Sequence, residues 1–219
     1  MRHSPIWQWY VLVWMLTPWN FAESEEPQYE LILRGGKIID GTGNPWFAGD
    51  IGIKNQRIVA VGRIGSGRGQ QELDVRGLVV APGFIDMHSH SDTLLLQDGN
   101  AQSKIRQGVT TEVLGEGRSM APRVGKLSPR AIEIQGKVHQ IESLEDYFQM
   151  AETAGIATNV ASYVGLGTVW RCVMGDTFER PTRDQVETMK QLVTQAIQHG
   201  AWGLSSQVMM PPGSLATTA

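Results

Sequence analysis

The chain has 219 residues, of which 41% are hydrophobic and 19% are charged, a composition typical of a globular protein with one or two domains. Its net charge of −3 argues against a broadly basic surface, so we expect no nucleic-acid partner. The single cysteine, Cys172, excludes an internal disulfide and a cysteine-rich zinc module.

Residues 1–22 differ in composition from the rest of the chain. A short basic start, Met1-Arg2-His3, precedes an uncharged apolar run from Trp9 to Leu16. After this run, a small-residue site at Phe21-Ala22 precedes an acidic patch. This order is typical of a secretory signal peptide, and the run is shorter than the roughly 20 residues of a membrane span. The alternative is a buried N-terminal strand or helix. We predict a secreted or periplasmic protein without a membrane span in the mature chain.

Residues 23–80 carry short β-branched runs bounded by turn residues, which predict an N-terminal β-sandwich segment. The predicted strands are Tyr29–Arg34, Lys37–Ile39, Asp50–Ile53 and Arg57–Val61. We expect them to be antiparallel. The glycines of Gly65–Gly69 lack the spacing of a phosphate-binding loop, so this segment is interpreted as a hairpin tip.

Residues 81–219 alternate between predicted strands and helices, which favours a parallel sheet. A helix is expected before Gly108, and two more are expected to begin at sequences with capping-box spacing, at Ser143 and Thr182. An irregular stretch is expected between the second strand and the helix at Ser143. The predicted strands are Phe84–Met87, Val109–Leu114, Thr158–Val164 and Trp202–Ser205. These are about four β/α units, half of the eight that close a TIM-type barrel, so we expect an incomplete barrel.

Two of the five histidines, His88 and His90, follow the first of these strands. Residues i and i+2 of a strand point to the same side, and the carboxyl ends of barrel strands carry the chemistry. Two imidazoles there are able to bind one divalent ion, with a further ligand from another strand end. The alternative is a surface or structural role.

The run Ala81–His90, APGFIDMHSH, resembles the signature of the amidohydrolase superfamily. The segments Gln107–Thr111, Gly165–Thr168 and Gly200–Ser206 resemble its N-acyl-D-amino-acid deacylase branch. The resemblance implies an α/β fold, a (β/α)₈ barrel preceded by a small β-sandwich, of which this chain would hold the N-terminal part. It also implies one or two divalent ions, Zn²⁺ by expectation.

By this resemblance His88 and His90 are metal ligands, and Glu116 stands where many relatives have a ligating cysteine. Glu112 lies on the same strand side and is the rival carboxylate. Asp86 is expected to orient a histidine or to satisfy nearby backbone, and Asp92 to contact substrate or to cap the next segment.

Two more histidine ligands and a metal-bound catalytic Asp are implied beyond Ala219, so the catalytic residue is left unknown. Met210 occupies the position of a tyrosine in the family pattern, which implies an altered substrate range. The predicted activity is hydrolysis of an N-acyl-D-amino acid, a small molecule, by metal-activated water.

Two alternatives stay open. One is a cyclic amidohydrolase of the dihydroorotase or hydantoinase kind, which usually needs a carboxylated lysine; residues 138–189 contain no lysine. The other is a secreted metal-binding fragment without activity.

Overall fold

The computed structural model describes residues 28–134, 136–177 and 179–216. The chain divides into two compact units, one up to Pro82 and the other from Gly83. The predicted signal peptide lies outside the described residues. In the part of the chain that is described, no helix combines the length and the apolar character needed to cross a bilayer.

The first unit is a single mixed sheet. Its strands are β1 (Tyr29–Ile38), β2 (Phe47–Lys54), β3 (Arg57–Gly62), β4 (Gly69–Asp74) and β5 (Val79–Val80). They lie in the order β3-β2-β1-β4, with β5 also paired to β1. The β1–β2 and β2–β3 pairs are antiparallel, whereas β4 and β5 run parallel to β1.

Three expectations for this unit were wrong. The all-antiparallel arrangement fails because the chain crosses from β3 to the far side of β1, so Gly65–Gly69 is part of a crossover and not a hairpin tip. The two strands predicted on either side of Gly35-Gly36 are one strand with a register shift at that point. Gly35 has a φ of +71°, and a glycine accommodates such a bulge without ending the strand.

Parallel pairing organises the second unit, as predicted. A three-stranded sheet has the order β10-β7-β6, and a separate pair joins β11 to β12, all in parallel. These strands are β6 (Phe84–Asp86), β7 (Val109–Leu114), β10 (Asn159–Ser162), β11 (Val164–Gly165) and β12 (Leu204–Ser205).

Helices separate most of these strands. They are α1 (Asp92–Gln97), α2 (Gln102–Ile105), α3 (Leu144–Ala154), α4 (Leu166–Met174) and α5 (Arg183–Gln198), with a 3₁₀ turn at Gly213–Leu215. Both predicted capping boxes are present: the side chain of Ser143 accepts from Asp146 N in α3, and that of Thr182 accepts from Gln185 N in α5. These caps satisfy amides that have no partner within the helix.

The stretch expected to be irregular contains an antiparallel hairpin, β8 (Arg130–Ile134) with β9 (Lys137–Ile141). Its inward side chains are buried, for example Ile132 and Ile141, and they join the core of the second unit. The alternation of polar and apolar residues in β8 was the available signal. Helix α4 was also missed, because Gly165, the N-cap residue that precedes it, offers no side-chain cap.

Candidate metal centre

The two histidines lie together immediately after β6. Nε2 of His88 is 3.1 Å from Nε2 of His90, and the two rings meet edge to face. Both residues are exposed. The loop after β7 runs beside them because β6 and β7 are neighbours in the parallel sheet, and Ser89 N donates to Val113 O.

This second loop brings Glu116 to the pair. One oxygen of Glu116, Oε2, lies 3.2 Å from Nδ1 of His88, the ring nitrogen that does not face His90. The structure therefore places His88, His90 and Glu116 next to one another. Their roles as ligands remain predictions.

The two nitrogens that face each other have a separation suited to one shared ion. A zinc ion with nitrogens at about 2.0–2.1 Å in tetrahedral geometry holds them about 3.3–3.4 Å apart, close to the observed 3.1 Å. Glu116 contacts the opposite nitrogen of His88. Accordingly, within residues 28–134, 136–177 and 179–216 no group of three His, Cys, Asp or Glu side chains is arranged to hold an ion. The described residues provide a two-nitrogen donor set.

A buried polar cluster lies beneath the histidines. Glu112, in β7, has no exposed surface, and its Oε2 accepts hydrogen bonds from Ser89 Oγ at 2.7 Å and Ser91 Oγ at 2.5 Å. Its other oxygen accepts from Thr158 Oγ1 at 2.9 Å. Since Ser89 and Ser91 alternate with the histidines, Glu112 fixes the side of the segment opposite to the imidazoles. Glu112 was considered as the rival ligand, but among the described residues its carboxylate bonds the two serines and Thr158 and makes no contact with either imidazole.

Asp86 and Lys104 extend the cluster. Lys104 Nζ donates to Asp86 Oδ2 at 2.5 Å and to Ser89 Oγ at 3.2 Å, and it lies 3.4 Å from Glu112 Oε2. The other oxygen of Asp86 accepts from the backbone N–H of His88 at 3.2 Å. Asp86 therefore bonds nearby backbone and a lysine, and it holds the histidine turn through the main chain.

The electrostatics of the cluster follow from these bonds. Burial alone would raise the pKa of Glu112, but the hydrogen bonds from Ser91, Ser89 and Thr158 and the charge of Lys104 outweigh it, so its pKa lies below the usual value. The hydrogen bond with Lys104 lowers the pKa of Asp86, and the same bond raises the pKa of Lys104. All three groups are therefore charged at neutral pH.

Asp92 lies in the first turn of α1, directly after Ser91. Its Oδ1 accepts from Thr93 N at 2.9 Å, and its backbone oxygen accepts from Tyr147 Oη at 3.2 Å. Burial raises the pKa of its carboxyl. The contacts of Asp92 in this structure are thus local backbone and α3.

A cavity of about 350 Å³ opens beside the histidine pair, within the size range of small-molecule sites. Its lining includes His90 and Glu116 together with Arg118, Leu166, Gln207 and Met210. A small ligand in this cavity would thus lie against both the imidazole of His90 and the carboxylate of Glu116.

Comparison with known proteins places these features in a family. The family model described as "Amidohydrolase family" matches residues 71–209. The chain belongs to the amidohydrolase family. It is 36% identical over 200 residues to a D-aminoacylase from Alcaligenes xylosoxydans xylosoxydans, a match that covers 90% of this chain and 41% of the relative. The chain thus spans about two fifths of the length of such relatives.

Two solved structures support the same assignment. A D-aminoacylase described as having a binuclear metal centre superposes with a TM-score of 0.77 and 37% identity, over 87% of this chain and 41% of that one. An N-acyl-D-glutamate deacylase from Bordetella bronchiseptica, complexed with zinc and a phosphonate inhibitor, gives a TM-score of 0.76 and 32% identity over 87% and 40%. The resemblance to D-aminoacylases is confirmed. The chain has a mixed α/β fold, and its structural neighbours are D-aminoacylase amidohydrolases of the TIM-barrel type.

Sequence reasoning missed several residues that lie near the histidine pair. Lys104 stands in a short helix outside any motif, and only its position after the histidine segment connects it to the site. Arg118 follows Glu116 by two residues, and no motif marks it. The serines offered a clearer signal, because polar residues that alternate with a histidine pair point to the opposite side and need partners there.

Proposed function

We propose that the protein hydrolyses the amide bond of N-acyl-D-amino acids, releasing a carboxylate and a D-amino acid. The observation that carries this proposal is the pair of Nε2 atoms of His88 and His90, 3.1 Å apart at the rim of a small-molecule cavity. Similarity to a D-aminoacylase and to an N-acyl-D-glutamate deacylase supports the substrate class.

One or two divalent ions, with zinc as the leading candidate, would be held by His88 and His90 in this proposal. Such an ion lowers the pKa of bound water and polarises a carbonyl group. The chain's own residues prepare the donor atoms: Glu112 accepts from both serines that flank the imidazoles, and Asp86 accepts from His88 N. Hence the segment that carries both rings is held in place before any ligand arrives, with His90 at the cavity.

Glu116 has two possible roles in this proposal, as a third ligand or as the acceptor for Nδ1–H of His88. The observed distance to Nδ1 favours the second role, which fixes the tautomer that leaves Nε2 free for an ion. A rotation of its side chain would be needed for the first role.

We also propose how the two units relate to the complete fold of the family. Residues 81–219 would form about the first four β/α units of a (β/α)₈ barrel, and residues 23–80 part of a β-sandwich. The parallel order β10-β7-β6 in the second unit supports this interpretation. Export to the periplasm or the medium is also proposed, on the composition of residues 1–22 alone, and N-terminal sequencing of the mature protein tests it.

The activity is tested with the full protein, purified and supplied with Zn²⁺. N-acetyl-D-leucine and N-acetyl-L-leucine are offered in parallel, and release of free leucine is followed by an amine-specific reagent. We expect release from the D-isomer, suppression by a chelator and recovery on adding Zn²⁺. Protein that retains the ion yet releases no amine from N-acetyl-D-leucine, N-acetyl-D-aspartate or N-acetyl-D-glutamate would refute the proposal.

A further inference from the structure

Arg118 lies on a loop whose backbone is closely packed against neighbouring segments. A Cβ atom at Gly165 would lie 2.6 Å from the backbone N and Cα of Arg118, so only glycine allows the two segments to come this close. Gly167 N donates to Gly117 O at 2.8 Å, and Gly117 N donates to Ser205 Oγ at 2.9 Å. The backbone that presents Arg118 is therefore fixed from β11, α4 and β12.

The next residue, Ser119, adds to this support from within the core. Its backbone N–H donates to Thr168 Oγ1 at 2.8 Å, and its buried hydroxyl accepts from Gly165 N at 3.0 Å. Such a loop presents a side chain from a preorganised position, which limits the entropy lost on binding a ligand.

The guanidinium of Arg118 has no partner within the described part of the chain. Its side chain is exposed, and no hydrogen bond or ion pair of that side chain occurs among those residues, although Glu116 is two positions away. The carboxylate of Glu116 contacts His88 instead. Of the described residues that line the cavity, Arg118 is also the one with a permanent positive charge.

Apart from His90 and Glu116, whose carboxylate contacts His88, the rest of the cavity lining is apolar or neutral. Leu166, Met210 and Pro211 form part of its wall, and Gln207 contributes an amide. A single cation in such surroundings matches a ligand with one carboxylate and an apolar side chain. A guanidinium suits this group because it binds both carboxylate oxygens at once.

We propose that Arg118 binds the α-carboxylate of the N-acyl amino acid and so selects substrates with a free carboxylate and an apolar side chain. This inference rests on the proposed function. It assigns a specificity-determining residue to the cavity beside His90.

The test measures binding to the full protein as purified, by titration calorimetry, with ligands that resist hydrolysis. The probes are N-methanesulfonyl-D-leucine, its carboxamide, and N-methanesulfonyl-D-isoasparagine, whose carboxylate is on the side chain. The variants are Arg118→Gln and Arg118→Lys. Arg183→Gln is the matched control, because Arg183 is exposed on α5 and does not line the cavity.

We expect Arg118→Gln to weaken binding of the leucine acid by about 10- to 100-fold, the range for a lost charged hydrogen-bonding partner. Binding of the carboxamide should change less than about twofold, which also shows that the cavity has kept its shape. Arg118→Lys should give an intermediate loss, and Arg183→Gln none.

Equal binding of the leucine acid by Arg118→Gln and Arg183→Gln would overturn the inference. So would an effect of Arg118→Gln on the isoasparagine ligand with none on the leucine acid, since that places the side-chain carboxylate on Arg118.

The two proposals fail in different ways. Protein that binds the acid through Arg118 yet hydrolyses no N-acyl-D-amino acid refutes the proposed function and leaves the carboxylate site. Hydrolysis of N-acetyl-D-leucine that is unaffected by Arg118→Gln, with unchanged ligand binding, refutes the carboxylate site and leaves the function.

Discussion

The carboxylate of Glu116 lies 3.2 Å from Nδ1 of His88, on the side of the ring away from His90. Carboxylates in this position orient metal-binding imidazoles, and their removal usually costs 10- to 100-fold in metal affinity, about the effect we predict for Glu116→Gln. His90→Asn, in contrast, removes a donor atom and should abolish stable binding. Metal content after dialysis and competition with a chromophoric chelator measure both.

The comparison between these two variants decides the role of Glu116. If Glu116→Gln loses zinc as completely as His90→Asn does, the carboxylate is a ligand and the orienting role is wrong. Asp184→Asn, an exposed acidic residue at the start of α5, is the control for loss of one negative charge and should bind zinc as the parent does.

Glu112 should contribute to stability more than an exposed carboxylate does. It is fully buried and accepts from Ser89, Ser91 and Thr158, so Glu112→Gln leaves mismatched donors in the interior. We expect a loss of about 1–3 kcal/mol in the free energy of unfolding, measured with urea. The control Glu133→Gln changes an exposed residue of β8 and should stay within about 0.5 kcal/mol of the parent.

The stability contributed by Glu112 should also depend on pH, with a definite sign. The pKa of Glu112 is lower in the folded protein than its ordinary value of 4.5, so the charged form stabilises the fold above that pH. This contribution is lost as the pH falls below 4.5 and through the lower, folded-state pKa. The difference in the free energy of unfolding between the parent and Glu112→Gln should therefore be largest at pH 7 and should shrink at acid pH. A difference that grows on acidification would contradict this assignment.

Arg34 in the first unit joins three parts of the sheet. It donates to Asp50 Oδ2 at 3.1 Å, to Glu72 Oε1 at 2.7 Å and to the backbone oxygen of Ile64 at 2.6 Å, with only 19% of its side chain exposed. Arg34→Met should lower the free energy of unfolding by about 2–3 kcal/mol, because Asp50 then loses a charged partner near the interior.

A matched arginine provides the control for this prediction. Arg76 pairs with Asp74 at 2.5 Å, but 78% of its side chain is exposed. Exposed ion pairs typically contribute under about 1 kcal/mol, so Arg76→Met should have a small effect, and this effect should decrease further in high salt. Equal losses for the two variants would show that the half-buried position of Arg34 has no energetic consequence.

The elements that could be predicted are those whose signal is local. Capping residues set the starts of α3 and α5, and the β-branched segment Val109–Leu114 forms β7 over the predicted residues. The parallel position of β4 beside β1 could not be predicted, because it depends on which distant strand pairs with which.

The proximity of His88 and His90 followed from strand alternation. Strand-end geometry called only for a further ligand, and the family resemblance was needed to name Glu116. Which nitrogen Glu116 contacts could not be predicted, since side-chain rotamers decide it. The contact of Lys104 with Asp86 depends on how the segment between β6 and β7 folds back, and sequence spacing does not determine that path.

Gly115, between β7 and Glu116, should tolerate no side chain. Its φ is +83°, and a Cβ there would lie 2.1 Å from the carbonyl oxygen of Tyr163, a backbone atom that cannot move aside alone. Gly155, which ends α3, has a similar φ of +73° but open space around it. Gly155→Ala should therefore lower the free energy of unfolding only through the strained backbone conformation, by about 1–2 kcal/mol. Gly115→Ala should lower it by more and should also weaken zinc binding, because it displaces Glu116. Urea unfolding and chelator competition on both variants measure this, and equal losses at the two glycines would show that the contact with Tyr163 does not constrain the loop.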